Sequence, residues 1–596
     1  MIKFRLFKNN FDYFLVFLLA FVFLVATAWF NYATQSSDYV KFLSPDETAN
    51  YFFAKHYAET GSIAVFEPAN LIAEEIVHPR SIRSDNGWLK PVSFLGIILI
   101  YGQIASWLGT AIIPFLTPLF AAFGIIFFYA FVRRLFGRQV ALISAFLLAS
   151  FPVYFFYSAR SMFHNVLFLV FLLAGAYFLL LSLPSRTSDK RKFWTWHLSA
   201  QDCLTYIFSF LTGLMFGGAI GTRSSELLWL GPVLFIAWLF YARRLGLTRL
   251  VLMLGGLVLA LLPIFYWNQI LYASPFFGGY GEMNRSLTEI SQVGGQFLQS
   301  SVRGDFSHYR LAAATLIDNV FYFGYQPYQS LKMFFYYVLK MFPALSAFAF
   351  AGFLIFIYRI IRRPKRGAYL YLITWLVLSL ILVFYYGSWH FNDNPDPKRF
   401  TIGNSYTRYW LPMYIMAIPL VSLFVVSVSR FITSISWPRF DFSLKRRWRR
   451  FLAIGLSALI TCFLIFVNLE FVFFGSEEGL ATLYHNYFVD KTNAQAIIGL
   501  TEERAIIVTQ YHDKQLFPQR KVVVSLLTDA DVNRSLGKIL RFYPIYYYNF
   551  TFPNKDLSYL NERRLPQFGF IINPVVHRGQ FTLYRLDKIE PLVESK

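Results

Sequence analysis

The sequence predicts an all-α polytopic membrane domain of about eleven transmembrane helices plus interfacial helices, followed by a C-terminal soluble α/β domain. Of the 596 residues, 56% are hydrophobic and 15% are charged, whereas a soluble enzyme carries about 25% charged residues. The hydrophobic residues fall in long blocks, many of about 18 residues or more, which is the length that spans a bilayer as a helix. Strand-like runs of β-branched and aromatic residues occur only near the end of the chain.

The hydrophobic blocks all precede residue 474. They lie at 12–31, 91–108, 111–132, 139–157, 163–183, 203–221, 225–242, 249–270, 341–358, 367–387, 408–429 and 451–473. Between them stand clusters of basic residues, which the positive-inside rule assigns to the cytoplasm together with the N-terminus. These are Arg133, Arg134 and Arg138; Arg186, Lys190, Arg191 and Lys192; Arg243, Arg244 and Arg249; Arg359, Arg362, Arg363, Lys365 and Arg366; and residues 445–450.

Charge parity decides how block 91–108 is interpreted. If every block spans the bilayer, the cluster at Arg133 and those after it lie outside. If block 91–108 does not span, every cluster lies inside. We therefore predict that residues 91–108 form an interfacial or re-entrant helix, the alternative being a true span and one exception to the charge rule. The prediction is a multi-pass cell-membrane protein with a cytoplasmic N-terminus and an extracytoplasmic C-terminal domain.

The net charge of +22 belongs to these short loops, so the partner it indicates is the bilayer and no nucleic acid. Cys203 and Cys462 both lie in hydrophobic segments, which argues against a disulfide framework. The predicted domains are a membrane domain over 1–473 and an extracytoplasmic α/β accessory domain over 474–596. The outer loops of the membrane domain are 33–110, 271–340 and 388–407, and long ordered loops are usually functional.

The C-terminal domain is predicted from alternating strands and helices. The strand runs lie at 505–510, 521–527, 543–550, 568–574 and 581–586, with helical stretches at 490–503 and 528–541. This segment contains no phosphate loop, zinc-ligand spacing or nucleophile elbow.

The strongest local signal is SPDETANYFFAKHYAETGSI, residues 44–63, directly after the first span. Asp46 and Glu47 are adjacent carboxylates at the start of a helical stretch, and Pro45 fixes its entry. Adjacent residues on a helix point about 100° apart, so the two carboxylates are expected to have different roles. The competing interpretation is an ordinary acid pair at a helix N-terminus.

Further along come His78-Pro79-Arg80 and then Lys90-Pro91, which opens the interfacial helix. This order resembles the GT-C glycosyltransferase superfamily, in the branch that contains the protein O-mannosyltransferases and the aminoarabinose transferase of lipid A. In that branch an Asp-Glu pair follows the first span, and a basic or His residue before proline leads an interfacial helix.

Three later segments are similar to the same family. They are residues 137–167, with Arg160 at the outer end; residues 213–228, with Arg223; and residues 405–420, which open near Arg408 and Tyr409. The chain departs from the family pattern at Asn165, since an Asp often follows the arginine of the second outer loop. The C-terminal domain lies outside the resemblance.

The resemblance implies a hexosyl- or pentosyltransferase that moves a sugar from a polyprenyl-phosphate donor to an acceptor hydroxyl at the outer membrane face, the acceptor being a protein, lipid or glycan. A positioned carboxylate can accept the proton of a weakly nucleophilic hydroxyl, and direct attack with one base implies inversion. The leaving phosphate needs cationic donors. The candidate residues are Asp46 and Glu47 for catalysis; Lys90, Arg160, Arg223 and Arg408 for the donor phosphate; and His78, Tyr51 and His390 for donor or acceptor contacts.

No cofactor is predicted. A divalent metal held by His390, Asp393 and Asp396 is the alternative, since carboxylates and imidazole bind such ions. Two other functions stay open. A flippase or exporter of lipid-linked saccharides would place ionisable residues inside the spans, and an O-antigen ligase or polymerase would use Arg and His in later outer loops.

Overall fold

The computed structural model describes residues 2–36, 39–183, 203–302, 317–321, 323–391, 393, 399–434, 446–475 and 478–589. The predicted cytoplasmic residues Arg186, Lys190, Arg191, Lys192 and Lys445 lie outside them. The chain forms two compact units. Unit 1 comprises Met1–Phe30, Phe115–Phe265 and Gly281–Thr482, and unit 2 comprises Asn31–Pro114, Tyr266–Tyr280 and Leu483–Lys596.

Unit 1 is helical. The apolar helices that lie wholly or partly in unit 1 are Ile2–Thr34, Ile113–Phe136, Arg138–Ser150, Pro152–Arg160, His164–Ser182, Cys203–Thr222, Leu227–Tyr272, Pro343–Arg362, Arg366–Gly387, Leu411–Ser434 and Arg446–Phe474. Shorter or more polar helices are Gly281–Val302, Pro327–Phe334 and Ser405–Tyr409. Within the described residues, nine helices are long and apolar enough to cross a membrane, or ten when one bent pair is counted as a span.

Two helix breaks explain how nine long apolar helices correspond to eleven predicted spans. Helix Leu227–Tyr272 has 46 residues and a non-helical backbone at Gly246, with φ 66° and ψ 172°. At 1.5 Å per residue it is about 70 Å long, roughly twice the hydrocarbon thickness of a bilayer, so it holds two predicted spans. Helices Arg138–Ser150 and Pro152–Arg160 bend by 50°, because Pro152 lacks an N–H and keeps Phe151 extended.

The helix predicted to lie at the interface is Leu95–Leu108 in unit 2, with 14 residues. Its length is about 21 Å, which is less than the roughly 30 Å of a hydrocarbon core. A non-spanning helix accounts for this length. Residues 91–94 of the predicted block do not join the helix, and Pro91 ends the strand Trp88–Pro91. The sidedness of the loops stays a prediction.

The rest of unit 2 contains two sheets. Strands β1 (Val65–Phe66), β2 (Ile82–Asp85) and β3 (Trp88–Pro91) form an antiparallel sheet in the order β1-β3-β2. Strands β4 (Ile506–Val508), β5 (Lys521–Val523), β6 (Ile545–Phe550), β7 (Phe570–Arg578) and β8 (Phe581–Lys588) form a second sheet in the order β5-β4-β6-β8-β7. Strand β4 is parallel to β5 and β6, whereas β8 is antiparallel to β6 and β7. The five predicted strands are confirmed.

Helices complete unit 2. They are Pro45–Thr60, Asn70–Ala73, Leu480–Leu500, Asp513–Leu516, Ala530–Ile539 and Asn554–Tyr559. The predicted helical stretches in the tail correspond to Leu480–Leu500 and Ala530–Ile539. The fold class, an all-α membrane domain with a C-terminal α/β domain, is therefore confirmed.

The hydrophobic core of the tail includes side chains from the first loop. Ala69, Ala73 and Val77 pack among buried residues of β4, β5 and β6, and Val77 forms a backbone bridge to Val523. Residues 69–77 of the first loop and the tail therefore share one core. The predicted linear boundary between residues 473 and 474 stays a proposal, because the compact units group the chain differently.

Candidate functional site

Asp46 and Glu47 occupy the first turn of helix Pro45–Thr60 in unit 2. Pro45 begins the helix, where its missing N–H costs nothing, and the acidic side chains suit the positive end of the helix dipole. Glu47 is buried, at 1% exposure, whereas Asp46 is partly exposed. Its carboxylate oxygen Oδ1 accepts a hydrogen bond from Ser81 Oγ at 2.6 Å. The two carboxylates therefore have different environments, as the sequence predicts.

Ser81 adopts a left-handed backbone conformation, with φ 63°. The residue before it is fixed by the tail, since the Arg80 backbone N–H and side-chain Nη2 donate to the carboxylate of Asp513 at 2.9 and 2.5 Å. The carbonyl of Ser81 accepts a hydrogen bond from the N–H of Val92 at 3.3 Å. Neither the left-handed backbone nor the contact with Asp46 was predicted.

The β2–β3 hairpin carries Lys90 and a second cation that sequence reasoning missed. Lys90 and Arg83 are direct partners in the strand register. The Lys90 ammonium lies 2.6 Å from Asp85, and its hydrogen bond holds the pKa of the Asp85 carboxyl below its usual value. The predicted phosphate ligand thus already has an anionic partner.

Arg83 stacks on an aromatic ring: its Cζ lies 4.8 Å from the ring centroid of Tyr272. Its Nη1 donates to the carbonyl of Gly279 at 3.4 Å, and its buried Nε has no hydrogen-bond partner within the described residues. The alternation of Arg83 and Asp85 before a turn at Asn86-Gly87 was the available signal, since it is typical of a hairpin.

Two other predicted residues of unit 2 have structural partners. The ring Nδ1 of His78 lies 3.0 Å from the carbonyl of Pro79, and His78 pairs with Val523 at the edge of the tail sheet. Tyr51 packs against Phe42 with ring centroids 5.4 Å apart, and burial raises the pKa of its phenol to about 12. Their roles as donor or acceptor contacts stay predictions.

In unit 1, three arginines and two aromatic rings form a continuous series, which we term the arginine row: Arg160, Phe163, Arg408, Tyr409 and Arg223. The guanidinium carbons of Arg160 and Arg408 lie 5.1 and 4.9 Å from the ring centroid of Phe163. Those of Arg408 and Arg223 lie 5.1 and 4.5 Å from that of Tyr409. The structure therefore brings together three of the four predicted phosphate ligands.

Arg223 is buried and forms an ion pair. Its Nη2 lies 2.8 Å from Glu226 Oε1, with both side chains less than 8% exposed. The Tyr386 hydroxyl donates to the same oxygen at 2.7 Å, and the indole of Trp229 donates to Oε2. Glu226 follows Arg223 by three residues, so the sequence contained this signal.

Arg160 and Arg408 are brought to Phe163 by distinct local structures. Arg160 ends its helix, and the next residues, Ser161 and Met162, both have left-handed backbones with φ 66° and 56°. The Arg408 side chain donates to Ser405 Oγ at 2.7 Å, and the Ser405 N–H donates to Asp393 at 2.9 Å.

A second set of contacts joins the same two segments. The Tyr157 hydroxyl lies 3.0 Å from the carbonyl of Gly403. The amide of Asn165, where the family pattern often has an Asp, donates to the carbonyl of Arg408 at 3.1 Å. Asn165 therefore supports the backbone of an arginine.

The predicted alternative of a metal site rests on His390, Asp393 and Asp396. His390 Nε2 lies 3.0 Å from Gln326 Oε1, Asp393 accepts from Ser405, and Asp396 lies outside the described residues. Among the residues that the structure describes, no three His, Cys, Asp or Glu side chains group closely enough to hold a metal ion.

The arginine row is suited to bind an anion. Guanidinium groups stay charged and offer planar pairs of N–H donors to phosphate. Three such groups lie beside two shared rings, and one of them, Arg223, forms an ion pair with Glu226. A phosphate oxygen bound beside these guanidinium groups would interact with them in a setting where aromatic faces reduce competition from water.

No protein-family model and no curated protein sequence matches the chain. Among solved structures, it is similar to ArnT from Cupriavidus metallidurans bound to undecaprenyl phosphate. The TM-score is 0.51 and the identity 12%, and the match covers 96% of this chain and 97% of that one. It is also similar to the oligosaccharyltransferase of Archaeoglobus fulgidus in complex with Zn and sulfate. There the TM-score is 0.55 and the identity 13%, with 94% and 72% of the two chains covered.

A further match is the oligosaccharyltransferase AglB of Archaeoglobus fulgidus in complex with an inhibitory peptide and a dolichol-phosphate. The TM-score is 0.50 and the identity 13%, over 97% of this chain and 74% of that one. At these identities the likeness establishes the fold. The predicted GT-C resemblance is confirmed at that level, and the chain is a multi-pass membrane protein.

Proposed function

We propose that this chain, which has the GT-C fold, is an integral membrane glycosyltransferase that uses a polyprenyl-phosphate sugar donor and inverts the anomeric carbon. Asp46 accepts the proton of the acceptor hydroxyl while the hydroxyl oxygen bonds to the anomeric carbon. The bond between that carbon and the phosphate oxygen breaks, and its electron pair leaves with the polyprenyl phosphate.

The observation that carries this proposal is the placement of Asp46. Its carboxylate is partly exposed, stands on the first turn of a helix and has one oxygen held by Ser81 at 2.6 Å. A general base needs this combination of access and fixed direction. Glu47, which is buried, is proposed to support this turn.

The phosphate is assigned to arginines. Arg160 and Arg408 share the ring of Phe163, and in this proposal they bind the leaving phosphate as its charge develops. Arg223, which forms an ion pair with Glu226, is proposed to contribute positive charge to the binding of the phosphate. Lys90 and Arg83 add positive charge from the β2–β3 hairpin.

The comparisons support the donor class by extension. ArnT was solved with undecaprenyl phosphate and AglB with a dolichol-phosphate, both of which are polyprenyl-type phosphates. Another structure of the Archaeoglobus fulgidus enzyme carries an acceptor peptide. For this chain the acceptor class stays a protein, lipid or glycan hydroxyl.

The proposed location of the chemistry is the outer membrane face, with a cytoplasmic N-terminus and an extracytoplasmic tail. Ser44→Cys, in a Cys203→Ser and Cys462→Ser background, should react in intact cells with a thiol reagent that does not cross membranes. Protection of this cysteine until the membrane is opened would reverse the orientation.

Asp46→Asn tests the chemistry directly. In membranes supplied with a radiolabelled polyprenyl-phosphate sugar, the transfer rate should fall by about 10³-fold, since general bases contribute 10²–10⁴-fold. The matched control is Glu59→Gln, an exposed acid on the same helix, which should leave the rate unchanged. Unchanged transfer by Asp46→Asn would remove Asp46 from the mechanism.

The same assay separates the alternatives. A flippase or exporter moves its cargo without breaking the bond between sugar and phosphate, so it releases no free polyprenyl phosphate, whereas the proposed transferase does. A ligase or polymerase that acts through later outer loops would release it in the Asp46→Asn variant as well.

A further inference from the structure

The tail domain holds both chain segments that meet at Asp46. Asp513 binds Arg80, directly before Ser81. The next tail residue, Lys514, donates from Nζ to the carbonyl of Leu43 at 2.7 Å, three residues before Asp46. We propose that Ser81 is a positioning residue for the Asp46 carboxylate, and that the tail sets this contact through Asp513 and Lys514. The proposal rests on the function of Asp46 as the base.

The hydrogen bond from Ser81 to Asp46 is of the strong kind. At 2.6 Å between the two oxygens, it has the length of an O–H donor bound to an ionised carboxylate. Holding Oδ1 in this way restricts rotation of the carboxylate about its Cβ–Cγ bond. The other oxygen then has a fixed direction in which to accept a proton.

The backbone of Ser81 indicates that its position is imposed from outside. Left-handed conformations at φ 63° are unfavourable for residues other than Gly and, to a lesser extent, Asn and Asp. Such a residue persists where the surroundings determine its conformation. The surroundings here are Arg80 on one side and strand β2, which begins at Ile82, on the other.

Arg80 is held through its main chain as well as its side chain. Its backbone N–H, Nε and Nη2 all donate to Asp513, at 2.9, 3.1 and 2.5 Å. Asp513 is fully buried and Arg80 is half-exposed, so this carboxylate depends on Arg80 for compensation. Because the bonds include the peptide N–H, they fix the backbone one residue before Ser81.

The start of the helix that carries Asp46 is fixed by the same tail turn. Lys514 binds the carbonyl of Leu43, and the rings of Phe52 and Phe517 pack with centroids 4.7 Å apart. The tail therefore sets both ends of the Ser81–Asp46 hydrogen bond. Displacing a catalytic group by about 1 Å can reduce a rate 10²-fold, so this arrangement bears directly on turnover.

Steady-state kinetics of the full-length chain in membranes test the proposal, with Ser81→Ala, Ser81→Gly and Ser81→Asn as variants. Ser81→Ala should lower kcat about 10-fold to 100-fold with the KM for donor and acceptor changed less than about twofold. Ser81→Gly should lose as much, although glycine relaxes the left-handed backbone. Ser81→Asn, which tolerates that backbone and offers an N–H donor, should recover part of the loss.

The role of the tail is tested by Asp513→Asn and Lys514→Met, singly and combined with Ser81→Ala. Each should lower kcat, and each should add little to Ser81→Ala because the residues act through one contact. The control is Arg534→Gln, which breaks an exposed ion pair with Asp531 on the same domain and should leave kcat unchanged. If Asp513→Asn fails to fold, Lys514→Met carries this part of the test.

Wild-type kcat in Ser81→Ala, full recovery in Ser81→Gly, or additive losses with the tail variants would overturn the proposal. Failure of the proposed function has a different signature, namely no transfer by the wild-type chain or unchanged transfer by Asp46→Asn.

Discussion

The arginine row in unit 1 and the β2–β3 hairpin in unit 2 organise their cations in parallel ways. Each includes a cation with a close carboxylate partner: Arg223 with Glu226 at 2.8 Å and Lys90 with Asp85 at 2.6 Å. Each also has an arginine over an aromatic ring, Arg408 over Phe163 and Arg83 over Tyr272. The two carboxylate pairs differ in exposure, since Asp85 is 46% exposed and Glu226 is 2% exposed.

A basic residue at a helix or strand end can therefore either fix local structure or bind an exchangeable anion. A buried ion pair fixes local structure, because leaving either partner alone in a low dielectric is costly. An ion pair with one exposed partner is weak and is readily exchanged for another anion. Lys90 is therefore better suited to exchange its anionic partner than Arg223 is.

The largest effect is expected at the buried pair. Glu226→Gln should destabilise unit 1 by about 3–5 kcal/mol, because it leaves Arg223 buried without its counter-charge. The double variant Arg223→Met/Glu226→Leu should recover most of that stability while transfer stays low. Thermal unfolding in detergent, together with the transfer assay, measures both. Wild-type activity in the double variant would assign Arg223 a purely structural role.

The second effect is a difference between the two units in how their stability depends on pH. Burial lowers the pKa of His512, next to Asp513, to about 4. The folded state therefore binds fewer protons than the unfolded state, so the stability of unit 2 should fall as the pH drops from about 6.5 towards 4. The total loss is about 3 kcal/mol.

Amide hydrogen exchange, corrected for intrinsic rates, should report that loss in β4 and β6 and spare helix Leu411–Ser434. His512→Phe keeps a ring beside Tyr548 and Phe581, which His512 contacts at centroid distances of 4.6 and 4.5 Å. It should remove the pH dependence. Equal acid sensitivity in the variant would show that another group titrates.

The smallest effect compares the two hairpin cations. Arg83→Gln should raise the KM for the donor about threefold to fivefold, and Lys90→Gln should raise it less, because Lys90 already has Asp85 as a partner. These changes correspond to about 1 kcal/mol or less, as expected for partly exposed charges. A larger effect of Lys90→Gln would mean that Asp85 releases Lys90 when the donor binds.

The sequence predicted the fold where one physical effect dominates. Backbone pairing in lipid makes long apolar blocks helical. Gly246 breaks a helix between two predicted blocks, whereas the break before Pro152 falls inside predicted block 139–157 and was not predicted. The tail strands were predicted because their β-branched and aromatic runs are short and separated by turns. Strands β2 and β3 were missed because each has only four residues and one includes Pro91, which belongs to a longer apolar run.

The sequence predicted which residues belong to the candidate site but not which of them contact one another. Arg160, Arg223 and Arg408 stand out because each is a charge beside an apolar block, yet their shared rings depend on contacts between distant segments. Ser81 has no local signal at all, since its left-handed backbone follows from Arg80 meeting Asp513. Contacts of this kind are determined by tertiary structure, which a single sequence does not display.

The bond between Arg80 and Asp513 joins residues 433 positions apart, and this separation has a consequence for biosynthesis. A ribosome adds about 5–20 residues per second, so the first loop waits about 20 to 90 seconds for the residues that complete its core. During that interval nothing from the tail is present to fix Ser81. Each new molecule therefore forms the bond between Arg80 and Asp513 only after synthesis has passed residue 513.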